Sequence, residues 1–182
     1  GWGHMTDEDI PDDKRELLAM LDGKRGFFGG TPLNTNLCYS NPAARSLIAN
    51  AIADYAVEHP EVHYLHFWLA DDKNNNCECP ACRDTRPSDY YVMLLNEVDA
   101  ELSARGIDTK IVFLTYFELM FAPPRERFVN PDRFILMMAP VSRSYSCSFA
   151  DGIEEAKGMA PLPFARNALI RPSGTEETKG PR

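Results

Sequence analysis

The sequence predicts an α/β domain in which a parallel β-sheet is covered by flanking helices. Three observations lead there. Residues 62–69 (VHYLHFWL), 110–116 (KIVFLTY) and 133–140 (RFILMMAP) are short, nearly continuous apolar runs, the pattern of strands buried on both faces. Before and between them lie stretches whose apolar residues recur at helical spacing. Strands separated by helices in this way form parallel sheets covered on both faces, and ligands of such sheets sit beyond the carboxyl ends of the strands.

The elements follow in order. Residues 1–36 are rich in Gly, Pro, Asp and Asn, with one short helical stretch over 14–21 that stops at the turn signal Asp22-Gly23. Residues 26–36 read as loop. Asn41 as cap and Pro42 in the first turn open a helix whose apolar positions are Leu47, Ile48, Ala51, Ile52, Tyr55 and Ala56, and His59-Pro60 stops it. The strand 62–69 ends at Asp71 and Asp72, and a polar loop with three cysteines follows. Ser88 or Asp89 caps a helix over 90–105, with Val92, Leu95, Val98 and Leu102 on its apolar face and Gly106 at its end. The strand 110–116 leads into a loop carrying Glu118 and Pro123-Pro124, and 133–140 is the last strand. The expectation is one domain over 1–182, with its core in 37–150 and an irregular tail over 151–182. At 182 residues the chain is short of the roughly 250 that a full eight-stranded barrel needs, so a barrel would be present only in part.

A net charge of -8 argues against nucleic acid as a partner, because such binding relies on Lys and Arg displacing counterions. No run approaches the roughly 20 apolar residues of a membrane span. The chain does not open with Met, which fits a domain excised from a longer protein, and it shows no charged-then-apolar leader. The compartment, cytoplasmic or secreted, stays open.

Cys77-Glu-Cys-Pro-Ala-Cys82 is a C-x-C-x-x-C motif. Thiolates this close on a turn can converge on one tetrahedral ion, and a closed four-thiolate zinc site is structural because it leaves no position for water. Cys38 is the expected fourth ligand and Cys147 the alternative. Disulfide pairing and free thiols are the competing readings of the same motif.

Asp71, Asp72 and Glu118 fall at the carboxyl edge of the predicted sheet, where a carboxylate in low-dielectric surroundings can be tuned for acid or base work. Trp68, Tyr116 and Tyr145 could offer ring faces to a sugar, and His4 a loop contact. Glycoside hydrolysis needs two carboxyls, or one together with the substrate's own acetamido group. The histidines are scattered, so a histidine metal site is not expected.

LNTNLCYSNP (33–42), HFWLADDKNNNCECPAC (66–82), SDYYVMLLNEVD (88–99), TKIVFLTYFELMFAPP (109–124) and NPDRFILMMAPVSRSY (130–145) together resemble the bacterial domain-of-unknown-function family DUF4838. The resemblance implies a TIM-barrel-like (β/α)8 fold, present here in part, and kinship with hexosaminidase-type glycoside hydrolases. It implies a glycan partner bearing a β-linked N-acetylhexosamine and retaining, substrate-assisted chemistry. Asp71 would orient the acetamido group or act as acid, Glu118 would be the other acid/base group, and Asp72 stands where the family usually has Gly. It also groups Cys38 with Cys77, Cys79 and Cys82. The alternative is a non-catalytic carbohydrate-binding or scaffold domain stabilised by its metal. LIRPSGTE (169–176) resembles the phosphate loop of phosphohexomutases, but no phosphate-carrier serine loop or metal loop accompanies it.

Overall fold

The computed structural model describes Glu8 and residues 10–139. His4, Tyr145, Cys147, the tail over 151–182 and the LIRPSGTE segment lie outside the described residues.

The leading stretch forms only one turn of helix, α1 (Asp12–Arg15), followed by a hairpin of β1 (Met20–Leu21) and β2 (Lys24–Arg25). The expected helix over 14–21 is thus corrected. Its second half is taken up by cross-chain pairing: Leu18 bridges Leu37, Ala19 N–H donates to Asn36 O at 3.0 Å, and Cys38 N–H donates to Leu17 O at 2.7 Å. Asp22 and Gly23 turn the hairpin with φ of 48° and 74°, the left-handed pair that a two-residue hairpin loop requires.

Helix α2 (Pro42–Glu58) starts as expected, with the Asn41 side chain accepting from Ala43 N–H at 2.9 Å. Its buried face differs from expectation. Ala44, Ala49, Ala53 and Ala56 are buried, whereas Leu47 and Tyr55 are exposed. Small residues let α2 lie close to α3 (Pro87–Ala104), whose Val92, Leu95, Val98 and Leu102 are all buried. Arg45 Nε to Glu97 Oε1 at 2.7 Å and Arg105 to Asp54 flank the contact. The start of α3 is also corrected. Arg86 is the cap residue, and the Asp89 carboxylate instead receives Arg125 N–H and Glu126 N–H, at 3.0 and 2.9 Å. Gly106 ends α3 with φ of 69°.

Strands β3 (Tyr64–Phe67), β4 (Lys110–Thr115) and β5 (Phe134–Met138) form a parallel sheet in that order. Ile111 and Phe113 on β4, with Leu65, Phe67 and Phe134 beside them, pack against Tyr91, Leu95, Val98 and Leu102 of α3 and the alanines of α2. The opposite face carries Tyr64, His66 and Trp68 by strand parity. It continues with Ile135 and Met137, and Tyr64, Trp68, Ile135 and Met137 are exposed. Among the described residues, helices therefore cover one face, where the apolar runs predict two. Among the described residues the sheet ends at β3 and β5 and no closed barrel is seen.

Candidate functional site

Every sequence-predicted site residue within the described residues falls at the carboxyl edge of the sheet or in the loops next to it. Two arms build the cysteine cluster: the loop 36–40 before α2 and the loop 75–82 after β3. The sulfurs of Cys38, Cys77, Cys79 and Cys82 all lie within 4.8 Å of one another, and all four residues are buried. Cys38 Sγ is 3.7 Å from Cys79 Sγ and 3.8 Å from Cys82 Sγ. A disulfide holds its sulfurs about 2.05 Å apart. Zn–S bonds of about 2.3 Å in a tetrahedron place them about 3.8 Å apart. The two Cys38 distances match the tetrahedral value and are far too long for a disulfide, and the four cysteines could hold a metal ion.

The surroundings suit such a site. Met20 N–H donates to Cys77 Sγ at 3.2 Å, and Ser40 Oγ lies 3.3 Å from Cys38 Sγ and 3.1 Å from Cys82 Sγ. Burial penalises the Arg25 guanidinium, yet hydrogen bonds and attraction to the cysteine sulfurs, Cys38 foremost, hold its pKa above the ordinary value. Hydrogen bonds link the sulfurs to one another. Hydrogen bonds from Cys77 and Cys82 hold Cys38 well below the usual thiol range. Donating to Cys38 pushes Cys77 up to about 11 and raises Cys82 as well. With a divalent ion on the four sulfurs, the Arg25 guanidinium would reduce the residual negative charge of the cluster, as outer-shell partners of metal sites do. Arg25 and Ser40 are functional candidates the sequence reading missed. Arg25 lies far from the motif along the chain, whereas Ser40 lies two residues after Cys38, the signal that could have found it.

A buried amide pair links the cluster to the strand end. Asn36 Nδ2 donates to Asn75 Oδ1 at 2.9 Å, and Asn36 Oδ1 accepts from Tyr39 OH at 2.9 Å and from Ala70 N–H at 3.1 Å. Asn75 Nδ2 donates to Asn34 O at 2.7 Å and to Asp71 O at 2.6 Å. Both side chains are 2 % exposed. Their amides form a closed network of the kind that fixes one loop conformation. The sequence signal was present as NTN at 34–36 and NNN at 74–76, each with its last or middle Asn two residues before a cysteine.

The three acids are not equivalent. Asp71 is exposed, and its Oδ1 accepts from Asp72 N–H at 2.8 Å and from Tyr116 OH at 3.1 Å. Burial and then the neighbouring Asp71 raise the Tyr116 pKa, so its hydroxyl stays a donor. Asp72 is exposed beside it, with φ of 81°. Asn34 Nδ2 lies 3.4 Å from Asp72 Oδ2. Glu118 is 3 % exposed, and its Oε1 accepts Asn74 N–H at 2.6 Å. There it anchors the loop after β3. Phe117, just before it, holds φ of 45°, an uncommon and costly conformation for an aromatic residue.

A groove of about 850 Å³ runs along the uncovered face and ends at Asp71. Its walls include Leu33, His66, Trp68, Leu114 and Tyr116. The Trp68 ring is half-exposed and meets His66 edge-on at 5.6 Å. Of the three acids, Asp71 alone lines the groove.

Fold and site thus define an α/β domain with a parallel sheet, a buried four-cysteine cluster at its carboxyl edge and an acid-ended groove beside it. The profile of the family described as Domain of unknown function (DUF4838) matches residues 2–160, and the chain belongs to that family. Comparison with curated proteins and with solved structures gives no match. No helix among the described residues is long and apolar enough to cross a membrane.

Proposed function

We propose that this domain binds a glycan containing a β-linked N-acetylhexosamine in the groove and hydrolyses it with retention, the four cysteines holding a structural zinc. The observation that carries this reading is the groove itself: an aromatic-walled cleft ending on an exposed carboxylate at the carboxyl edge of a parallel sheet. Trp68 presents a ring face, which suits a sugar ring with its axial hydrogens. In substrate-assisted hydrolysis the acetamido oxygen attacks the anomeric carbon as the glycosidic bond breaks, and a carboxyl gives its proton to the leaving oxygen. Water then opens the cyclic intermediate. Two carboxyl roles suffice: one holds the acetamido N–H and one handles the proton. Asp71 takes the first, with Tyr116 orienting it through Oδ1, and Asp72 is its neighbour for the second. Glu118, spent on Asn74, supports them by fixing the loop.

Zinc fits the donor set, since four cysteine sulfurs gathered within 4.8 Å suit it, and a filled site leaves no open position. The clamp then shapes the site without entering the reaction.

One observation favours binding without turnover: a single carboxylate faces the groove. Reducing-end release from glycans with β-linked N-acetylhexosamine, measured beside quenching of Trp68 fluorescence by the same glycans, separates the readings. Release abolished in Asp71→Asn, with quenching retained, supports hydrolysis. Quenching alone supports a binding domain. Neither signal removes the carbohydrate reading.

A further inference from the structure

We propose that metal occupancy of the four-thiolate clamp sets the conformation of the Asp71–Asp72 turn, and that the Asn36–Asn75 amide pair carries the coupling. The inference rests on the metal reading above and deepens it, making Asn36 and Asn75 positioning residues for Asp71.

The connection is direct. Asn36 lies two residues before Cys38 and Asn75 two residues before Cys77, so each arm of the clamp carries one member of the pair beside its ligands, Cys38 on one arm and Cys77, Cys79 and Cys82 on the other. The far side of the pair grips the strand end: Ala70 N–H on Asn36 Oδ1 and Asp71 O on Asn75 Nδ2, at 3.1 and 2.6 Å. Nothing between clamp and turn is slack. The arms are held by Cys38 N–H to Leu17 O at 2.7 Å and Glu78 N–H to Met20 O at 2.8 Å, and the amide groups are buried with their hydrogen-bonding capacity used. The turn beyond is conformationally demanding, with Asp72 and Asn74 at φ of 81° and 58°. Such a turn persists only where its surroundings hold it.

An ion pulls the four sulfurs together. That ion bonds Cys38 on one arm and Cys77, Cys79 and Cys82 on the other, so when it leaves the tie across the two arms is lost and they are free to separate. Separating the arms breaks Asn36 from Asn75, because a buried amide pair tolerates no gap without losing its bonds. Ala70 and Asp71 then lose their partners, and the carboxylate at the groove's end loses its fixed position. Coupling of this kind is reciprocal, so loosening the amide pair weakens the metal in turn.

The test uses the full chain carrying Trp2→Phe, which leaves Trp68 as its single tryptophan. Zinc is stripped with a chelator under reducing conditions and then restored. Amide resonances of Asp72 and Lys73, and acrylamide quenching of Trp68, report the turn, while far-UV circular dichroism reports the fold. The expected result is a reversible shift of those resonances and a rise in quenching, with helix content kept. Asn75→Ala, loaded with excess zinc, shows the stripped-state turn signals and about tenfold weaker zinc affinity. Turn signals that ignore stripping overturn the proposal, as does a zinc-loaded Asn75→Ala with native turn signals and native affinity. Loss of the whole fold on stripping overturns it too, since the turn would then be one casualty among many. A protein that never takes up metal defeats the metal reading itself, whereas a loaded protein whose turn is indifferent to zinc defeats only the coupling.

Discussion

Arg133 Nε lies 2.6 Å from Asp99 Oδ1, and the pair locks the last strand of the sheet to the helix that precedes the middle one. Both side chains are buried. Arg133 Nη1 also donates to Ile107 O and Thr109 O, each at 2.9 Å, and Nη2 to Ser103 Oγ at 3.2 Å. One guanidinium therefore joins the end of α3, the entry to β4 and the start of β5. It sets the register in which the strands deliver their carboxyl ends to the site.

Removing one partner leaves the other charge buried and unmatched. Asp99→Ala is expected to destabilise the domain by about 3–5 kcal/mol. Pairing Asp99→Leu with Arg133→Met recovers much of that loss, because no orphan charge remains. Urea unfolding of the single and double variants checks both.

The clamp predicts one metal per chain and four thiols shielded from alkylation until a chelator is added. Stripping the ion lowers stability by about 4 kcal/mol when zinc had been held at a thousandfold excess over its dissociation constant. Cys82→Ser abolishes the shielding of the other three. Elemental analysis, thiol counts and thermal unfolding with and without chelator measure these effects.

Alkaline pH unfolds the domain through its buried tyrosines. Burial raises the pKa of Tyr39 and Tyr91, whose hydroxyls donate to Asn36 Oδ1 at 2.9 Å and to Phe67 O at 2.6 Å. Burial and Asp71 do the same at Tyr116. The folded chain therefore binds more protons than the unfolded one above the unfolded tyrosine pKa of about 10. Stability from these groups is full below that pH and falls as pH rises beyond it. The urea midpoint should decline above pH of about 10, with tyrosinate absorbance growing as the chain unfolds.

Tyr116→Phe removes one of the two hydrogen bonds into Asp71 Oδ1 and keeps the groove wall. It should cost about 0.5–1.5 kcal/mol of stability. Glycan quenching of Trp68 should stay near the parent level. Turnover, where glycan release is observed, should drop more than binding does.

Much of this was legible along the chain. The strand cores, the Asn41 cap, the apolar face of α3 and the Gly106 stop all depend on neighbours within a few residues, which is the range over which periodicity and capping act. The cluster was legible as well, since three ligands sit in one motif. The helix over 14–21 was misread because Leu18 and Ala19 answer to Leu37 and Asn36, residues with no local signature. The buried face of α2 was misjudged for a related reason: close approach to α3 selects its alanines, and larger apolar residues on the same helix are left outside.

The sequence by itself determined the α/β class, the order of strands and helices from Asn41 onward, the family and the four cysteines. Only the tertiary structure decided that Cys38 joins the other three cysteines in one buried cluster, that Glu118 is buried on Asn74 while Asp71 lines the groove, and that Asn36 and Asn75 join cluster to acid. Each of these is a meeting of segments dozens of residues apart. Burial and hydrogen-bond geometry decide such meetings, and neither is written in local spacing.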